Sequence, residues 1–161
     1  MSPASGPGSG AATIRALQAL LTAENTAVYG YGVAGARLTG ARRAAAVRDW
    51  VAHENARDAL TAMLTARGGQ PVGAAAAYAL PFSVHNAAAA ASLAAVLEDR
   101  VAAVYLGLVA LSEPSLRAFG AAGVRTAALR AAAWRGSTLA FPGFEVAPST
   151  TPKTAARASG S

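Results

Sequence analysis

Apolar residues in this chain return every three or four positions over four long stretches, the spacing that lines one face of an α-helix. The first stretch, about Ala12 to Leu38, carries Ile14, Leu17, Leu20, Leu21, Val28, Tyr31 and Leu38 on its stripe. The second runs from about Ala41 to Arg67, with Ala46, Trp50, His53, Arg57, Leu60 and Leu64 expected inward. The third, about Asn86 to Leu111, presents Leu93, Leu97, Val101, Val104, Tyr105 and Leu108. The fourth opens at Ser112-Glu113-Pro114, a cap followed by a proline in the first turn, and ends at Arg135 before Gly136.

The breaks between these stretches carry the topology. Thr39-Gly40 and Ser112-Glu113 are short stops, so helices one and two, and three and four, should form antiparallel hairpins. Gly68-Gly69 stops the second helix, and the link 68–85 holds Pro71, Gly73 and Pro81. Helices of this size are about 40 Å long, and an extended link of that length reaches roughly 60 Å. The link can therefore cross the whole bundle. The predicted architecture is all-α, a four-helix bundle of two antiparallel hairpins joined by a long crossover, the ferritin-like arrangement. Residues 1–11 and 143–161, small, polar and low in complexity, are expected to be disordered tails around a bundle spanning 12–142.

Two glutamates interrupt the apolar stripes. Glu24 follows Leu17, Leu20 and Leu21 and precedes Val28 and Tyr31; Glu98 lies among Ala91, Ala94, Ala95, Val101 and Tyr105. Each is followed seven residues later by a tyrosine, Tyr31 or Tyr105, a repeat that suggests pseudo-twofold symmetry between the hairpins. A carboxylate buried there needs a metal, a base or its own proton. Di-iron bundles place one Glu on each of two helices and Glu-x-x-His on each of the other two. Helix two lacks that motif, since Glu54 has Arg57 three residues on and His53 has Ala56; helix four holds no acid and no histidine. The expected interior is thus a polar cluster of Glu24 and Glu98 facing Arg57 and Arg130, with Tyr31, Tyr105 and His53 nearby.

Composition adds to the helical reading. The chain has 161 residues and is 53% hydrophobic, with alanine, the best helix former, supplying an unusually large share. The net charge is +6, and Lys153 is the only lysine among its 14 basic residues. The arginines are scattered except for Arg42, Arg43 and Arg48, which argues for a solvated basic surface rather than a nucleic-acid face. With no cysteine there is no disulfide, thiolate ligand or cysteine nucleophile. The start does not read as a signal peptide and no apolar run is long enough to span a bilayer, so a cytoplasmic protein without membrane contact is expected.

Four stretches together resemble a ferritin-like domain family of unknown function found mainly in actinobacteria: "LQALLTAENTAVYGYGVAGARL", "AHENARDAL", "AYALPF" and "WRGSTLAFPG". "LEDRVAAVY" in helix three fits as well. The resemblance runs from Leu17 to Pro142. It implies a ferritin-like bundle and no particular activity. In the wider superfamily's pattern, Glu24 and Glu98 match the single glutamates, His53 falls near the Glu of the first Glu-x-x-His, and Ala56 near its His; the second pair has no match.

The remaining motifs are quieter. Gly30, Gly32 and Gly35 match a dinucleotide fingerprint by letter but lie inside a helix, where they would allow close helix contact. Trp50 and Trp134 read as packing anchors, and His85 as an aid to starting helix three. The leading expectation is a non-catalytic structural or interaction module without a cofactor, forming a homo-oligomer, a dimer by preference. The alternatives are a redox protein binding iron or manganese through Glu24, Glu98, His53 or Glu54, and a binder of apolar small molecules in a cavity between alanines.

Overall fold

The computed structural model describes residues 7–136, which form four helices: α1 Pro7–Gly35, α2 Gly40–Ala66, α3 Ala87–Val109 and α4 Pro114–Arg135. They build a four-helix bundle of two antiparallel hairpins joined by the connection 67–86. α1 starts before the expected Ala12 and ends at Gly35, short of Leu38, which is nevertheless buried. A proline opens a helix at no cost, because its missing N–H is one of those left unbonded in the first turn. The tail expected at 143–161, and the bundle's expected end at 137–142, lie outside the described residues.

The helix ends follow local chemistry. Asn86 caps α3 by accepting a hydrogen bond from the Ala89 N–H at 2.8 Å, so the cap is Asn86, while His85 beside it is exposed. Pro114 occupies the first turn of α4. Gly68 and Gly136, just past α2 and α4, have φ of +71° and +78°, the left-handed conformation in which glycine carries no Cβ penalty.

The connection runs back along α1. Its start is held by Gln18, whose side chain donates to the Gln70 carbonyl and accepts from the Val72 N–H at 3.1 Å. Further on, Tyr78 packs against Tyr29 with ring centroids 5.8 Å apart, and Leu80 and Val84 pack near the other end of the bundle. This return places α3 antiparallel to α1 and parallel to α2. The extensive helix contacts are α1 with α2, α1 with α3, and α3 with α4.

Two apolar clusters fill the bundle. One, at the end where α1 begins, includes Leu17, Leu20, Leu21, Leu60, Leu64, Val101, Leu108 and Leu116. The other, at the opposite end, includes Tyr31, Ala34, Leu38, Ala46, Leu93, Leu97 and Trp134. Between them, on helices in mid-course, lies a layer of buried polar side chains: Glu24, His53 and Glu98, each 1% exposed or less.

Candidate functional site

The polar layer is a product of helix periodicity. Glu24 shares its α1 face with Leu17, Leu20, Leu21 and Tyr31, all buried, and Glu98 shares its α3 face with Ala94, Ala95, Val101 and Tyr105. Since α1 and α3 run antiparallel, a tyrosine two turns beyond each glutamate reaches the glutamate of the other helix. Tyr31 donates to Glu98 Oε1 at 2.7 Å, and Tyr105 donates to Glu24 Oε1 at 2.9 Å. His53, from α2, lies between the two carboxylates. Its Nδ1 is 2.6 Å from Glu24 Oε2 and its Nε2 is 3.0 Å from Glu98 Oε1.

Both ring nitrogens face carboxylate oxygens, which accept only, so both carry protons and His53 is an imidazolium. Burial opposes that charge, but the hydrogen bonds and charges of Glu24 and Glu98 outweigh it and raise the pKa from 6.5 to about 9. Burial, reinforced by Glu98 at Tyr31 and by Glu24 at Tyr105, holds both phenol protons well above their ordinary range. The tyrosines are therefore fixed donors. Glu24 has a partner on each oxygen, whereas Glu98 Oε2 is buried with none among the described residues.

Arginine plays a smaller part than the sequence suggested. Arg57 does not enter the cluster: it bonds Asp58 through Nε at 2.9 Å and lies 3.7 Å from Glu54. Both acids are close to it in sequence and partly solvated, so Arg57 keeps its charge in water instead of paying for burial. Glu54 is thereby turned away from the glutamate pair. Arg130 comes near, with one terminal nitrogen 4.0 Å from Glu98 Oε1 and Nε 3.6 Å from Asp49 Oδ1. Asp49 was not among the expected residues. It is 4% exposed and accepts from the Trp134 indole at 2.9 Å, so Trp134 does more than pack. One signal for it existed: Asp49 lies one turn before His53 on the face that carries Ala46, Leu60 and Leu64.

A cavity of about 240 Å³ lies between α2 and α4 and reaches Glu24 and His53. Its α2 wall is Ala52, His53 and Ala56, and its α4 wall runs from Phe119 through Gly123 and Thr126 to Arg130. The interval separating Glu24 from Glu98 carries His53 onto Ala127, which also lines the cavity. The pseudo-symmetric place of the histidine thus holds only a methyl group.

This donor set does not fit a pair of metal ions. Both nitrogens of His53 are used on the glutamates, Ala56 stands near the place of a second ligand, and α4 offers Thr126, Ala127 and Arg130 instead of Glu-x-x-His. A guanidinium near Glu98 would repel a cation. Among the described residues, no three of His, Asp or Glu are arranged to hold a metal. Also among them, no helix is long and apolar enough to cross a membrane.

No curated protein matches the chain. A solved structure, that of a conserved hypothetical protein from Mycobacterium tuberculosis, is similar at 31% identity and a TM-score of 0.76. The alignment covers 79% of this chain and 97% of that one. Residues 16–146 match a family described as a domain of unknown function, DUF4439, and the chain belongs to that family.

Proposed function

We propose that the chain is a ferritin-like bundle that carries out no metal-dependent redox chemistry and serves as a structural or binding module. The observation that carries this reading is His53, which spends both ring nitrogens on Glu24 and Glu98. In a di-iron bundle those carboxylates would be ligands; here an imidazolium neutralises part of their charge and the two tyrosines supply further donors. The helix order, with two hairpins and a long connection, supports the ferritin-like assignment.

The polar layer suits a structural role. Each tyrosine donates to the glutamate of the opposite helix, and His53 bonds one oxygen of each. A slip of α3 along α1 by one turn would take Tyr105 away from Glu24 and part Glu98 from both Tyr31 and His53, leaving that carboxylate buried without its donors. The layer therefore selects one register, as a buried polar residue does in a coiled coil. Exposed Val47 and Val51, one turn apart on α2, give the module apolar surface for a partner.

The test is metal uptake. Protein loaded anaerobically with Fe(II) or Mn(II) and desalted should retain far less than one equivalent, and a Glu24→Ala/Glu98→Ala variant should retain no less than the parent. Stoichiometric metal in the parent that disappears in the double variant would instead make this a redox site built on the two glutamates.

A further inference from the structure

We infer that the cavity between α2 and α4 binds a compact monoanion with an apolar body, a short or aromatic monocarboxylate. The cavity exists because both facing helices are lined with small residues: Ala52 and Ala56 on α2, Ala122, Gly123 and Ala127 on α4. Ala122 and Thr126 are exposed, so its mouth opens to solvent.

Charge selects the ligand. Three charged side chains reach the walls, Glu24, His53 and Arg130. Both oxygens of Glu24 are already taken, by Tyr105 and His53. Asp49 and Glu98, the acids nearest to Arg130, do not line the cavity. Arg130 is therefore the charged group on the wall with donors left to offer, while Asp49 and Glu98 stand beside it at 3.6 and 4.0 Å. Both separations exceed good hydrogen-bond distance, so its guanidinium retains donors for a carboxylate. Thr126, one turn earlier on α4, adds a hydroxyl on the same side.

Shape sets the size. Val101, Phe119 and the alanine methyls form an apolar floor and sides. At about 240 Å³ the space is smaller than the pockets that hold drug-sized molecules, and a single ring bearing a carboxylate fits that scale.

The site rests on the reading above, in which His53 and not a metal holds the carboxylates. Benzoate is titrated into the protein with a chelator present, and binding is followed by calorimetry and by amide chemical shifts. Benzylammonium and benzamide serve as a cationic and a neutral comparator of similar shape. Saturable binding of benzoate is expected, with shifts confined to the helix segments 52–56 and 119–130 and to the neighbourhood of Glu24, Val101 and Tyr105, no binding of benzylammonium, and benzamide at least about tenfold weaker. Arg130→Gln should weaken benzoate by about tenfold or more, the loss expected for a charge-assisted contact. Because that change also disturbs Asp49, Ala56→Phe provides a second variant: it fills the cavity from the opposite wall and should abolish binding in a protein that still melts cooperatively. The inference is overturned if benzoate does not saturate by about 10 mM, if benzylammonium binds as well, or if Ala56→Phe binds undiminished. With the chelator present, failed binding removes the ligand site alone, while metal uptake in the loading experiment removes the reading beneath it.

Discussion

At the scale of single residues, the decisive atoms are the two nitrogens of His53. The folded pKa of about 9 lies above the ordinary 6.5, so the imidazolium contributes stability that is fully present below about pH 6.5 and is lost as pH rises through about 9. The linked loss is on the order of 3 kcal/mol across that window. Urea midpoints measured from pH 6 to pH 10 should fall over this range, and His53→Gln, less stable at pH 6, should flatten the slope. A parent protein with constant midpoints would refute the charged bridge. What was legible here was chemistry that local spacing carries: Glu24 and Glu98 interrupt apolar stripes, and a tyrosine follows each by two turns. Which partner each carboxylate takes depends on packing between helices. His53 and Arg57 lie one turn apart on α2, and the periodic pattern treats them alike. Only the rotation of α2 in the bundle turns His53 inward and leaves Arg57 with its sequence neighbours Glu54 and Asp58.

At the scale of elements, the helices themselves were readable because their stops are glycine, proline and asparagine, whose conformational preferences are local. Their closeness was not. Of Gly30, Gly32 and Gly35, only Gly30 meets a neighbour, since a Cβ there would come within 2.5 Å of Leu97 Cδ1, whereas the other two face open space. The tighter approach is between α3 and α4. A Cβ on Gly120 would lie 3.0 Å from both the Tyr105 carbonyl oxygen and the Val109 nitrogen, and one on Gly123 would lie 2.3 Å from the Tyr105 ring. These glycines let α4 sit against α3 and leave Tyr105 free to reach Glu24. Gly120→Ala should therefore destabilise by about 1–3 kcal/mol, because its neighbours are backbone and cannot rotate away. Gly107→Ala, in the exposed last turn of α3 with nothing within 4 Å of the added Cβ, should stabilise by up to about 0.5–1 kcal/mol. Thermal melts of the two variants should move in opposite directions. A shift of the same sign in both would mean that helix propensity, not the contact with α3, governs this interface.

At the scale of the whole molecule, everything in the site depends on the connection 67–86. It returns the chain to the far end of α1, sets α3 antiparallel to α1, and so brings Tyr31 to Glu98 and Tyr105 to Glu24. Link length alone announced that such a return was possible, but its path along α1 depends on contacts distant in sequence. Gln18 supplies the first of these, with its amide both donating to and accepting from the link backbone, and the tilted contact of Tyr29 with Tyr78 supplies another. Hydrogen bonds of this kind contribute about 0.5–1.5 kcal/mol each, enough to govern local opening without governing global stability. Gln18→Ala should therefore raise chymotrypsin cleavage after Tyr78 or Phe82 by about tenfold, while the denaturation midpoint of the bundle moves little. If the midpoint fell steeply and cleavage appeared throughout the helices, the link would be part of the cooperative core rather than a tether held onto it. If neither quantity changed, the packing of Tyr78, Leu80 and Val84 alone would fix its path, and the topology would rest on the apolar half of the connection.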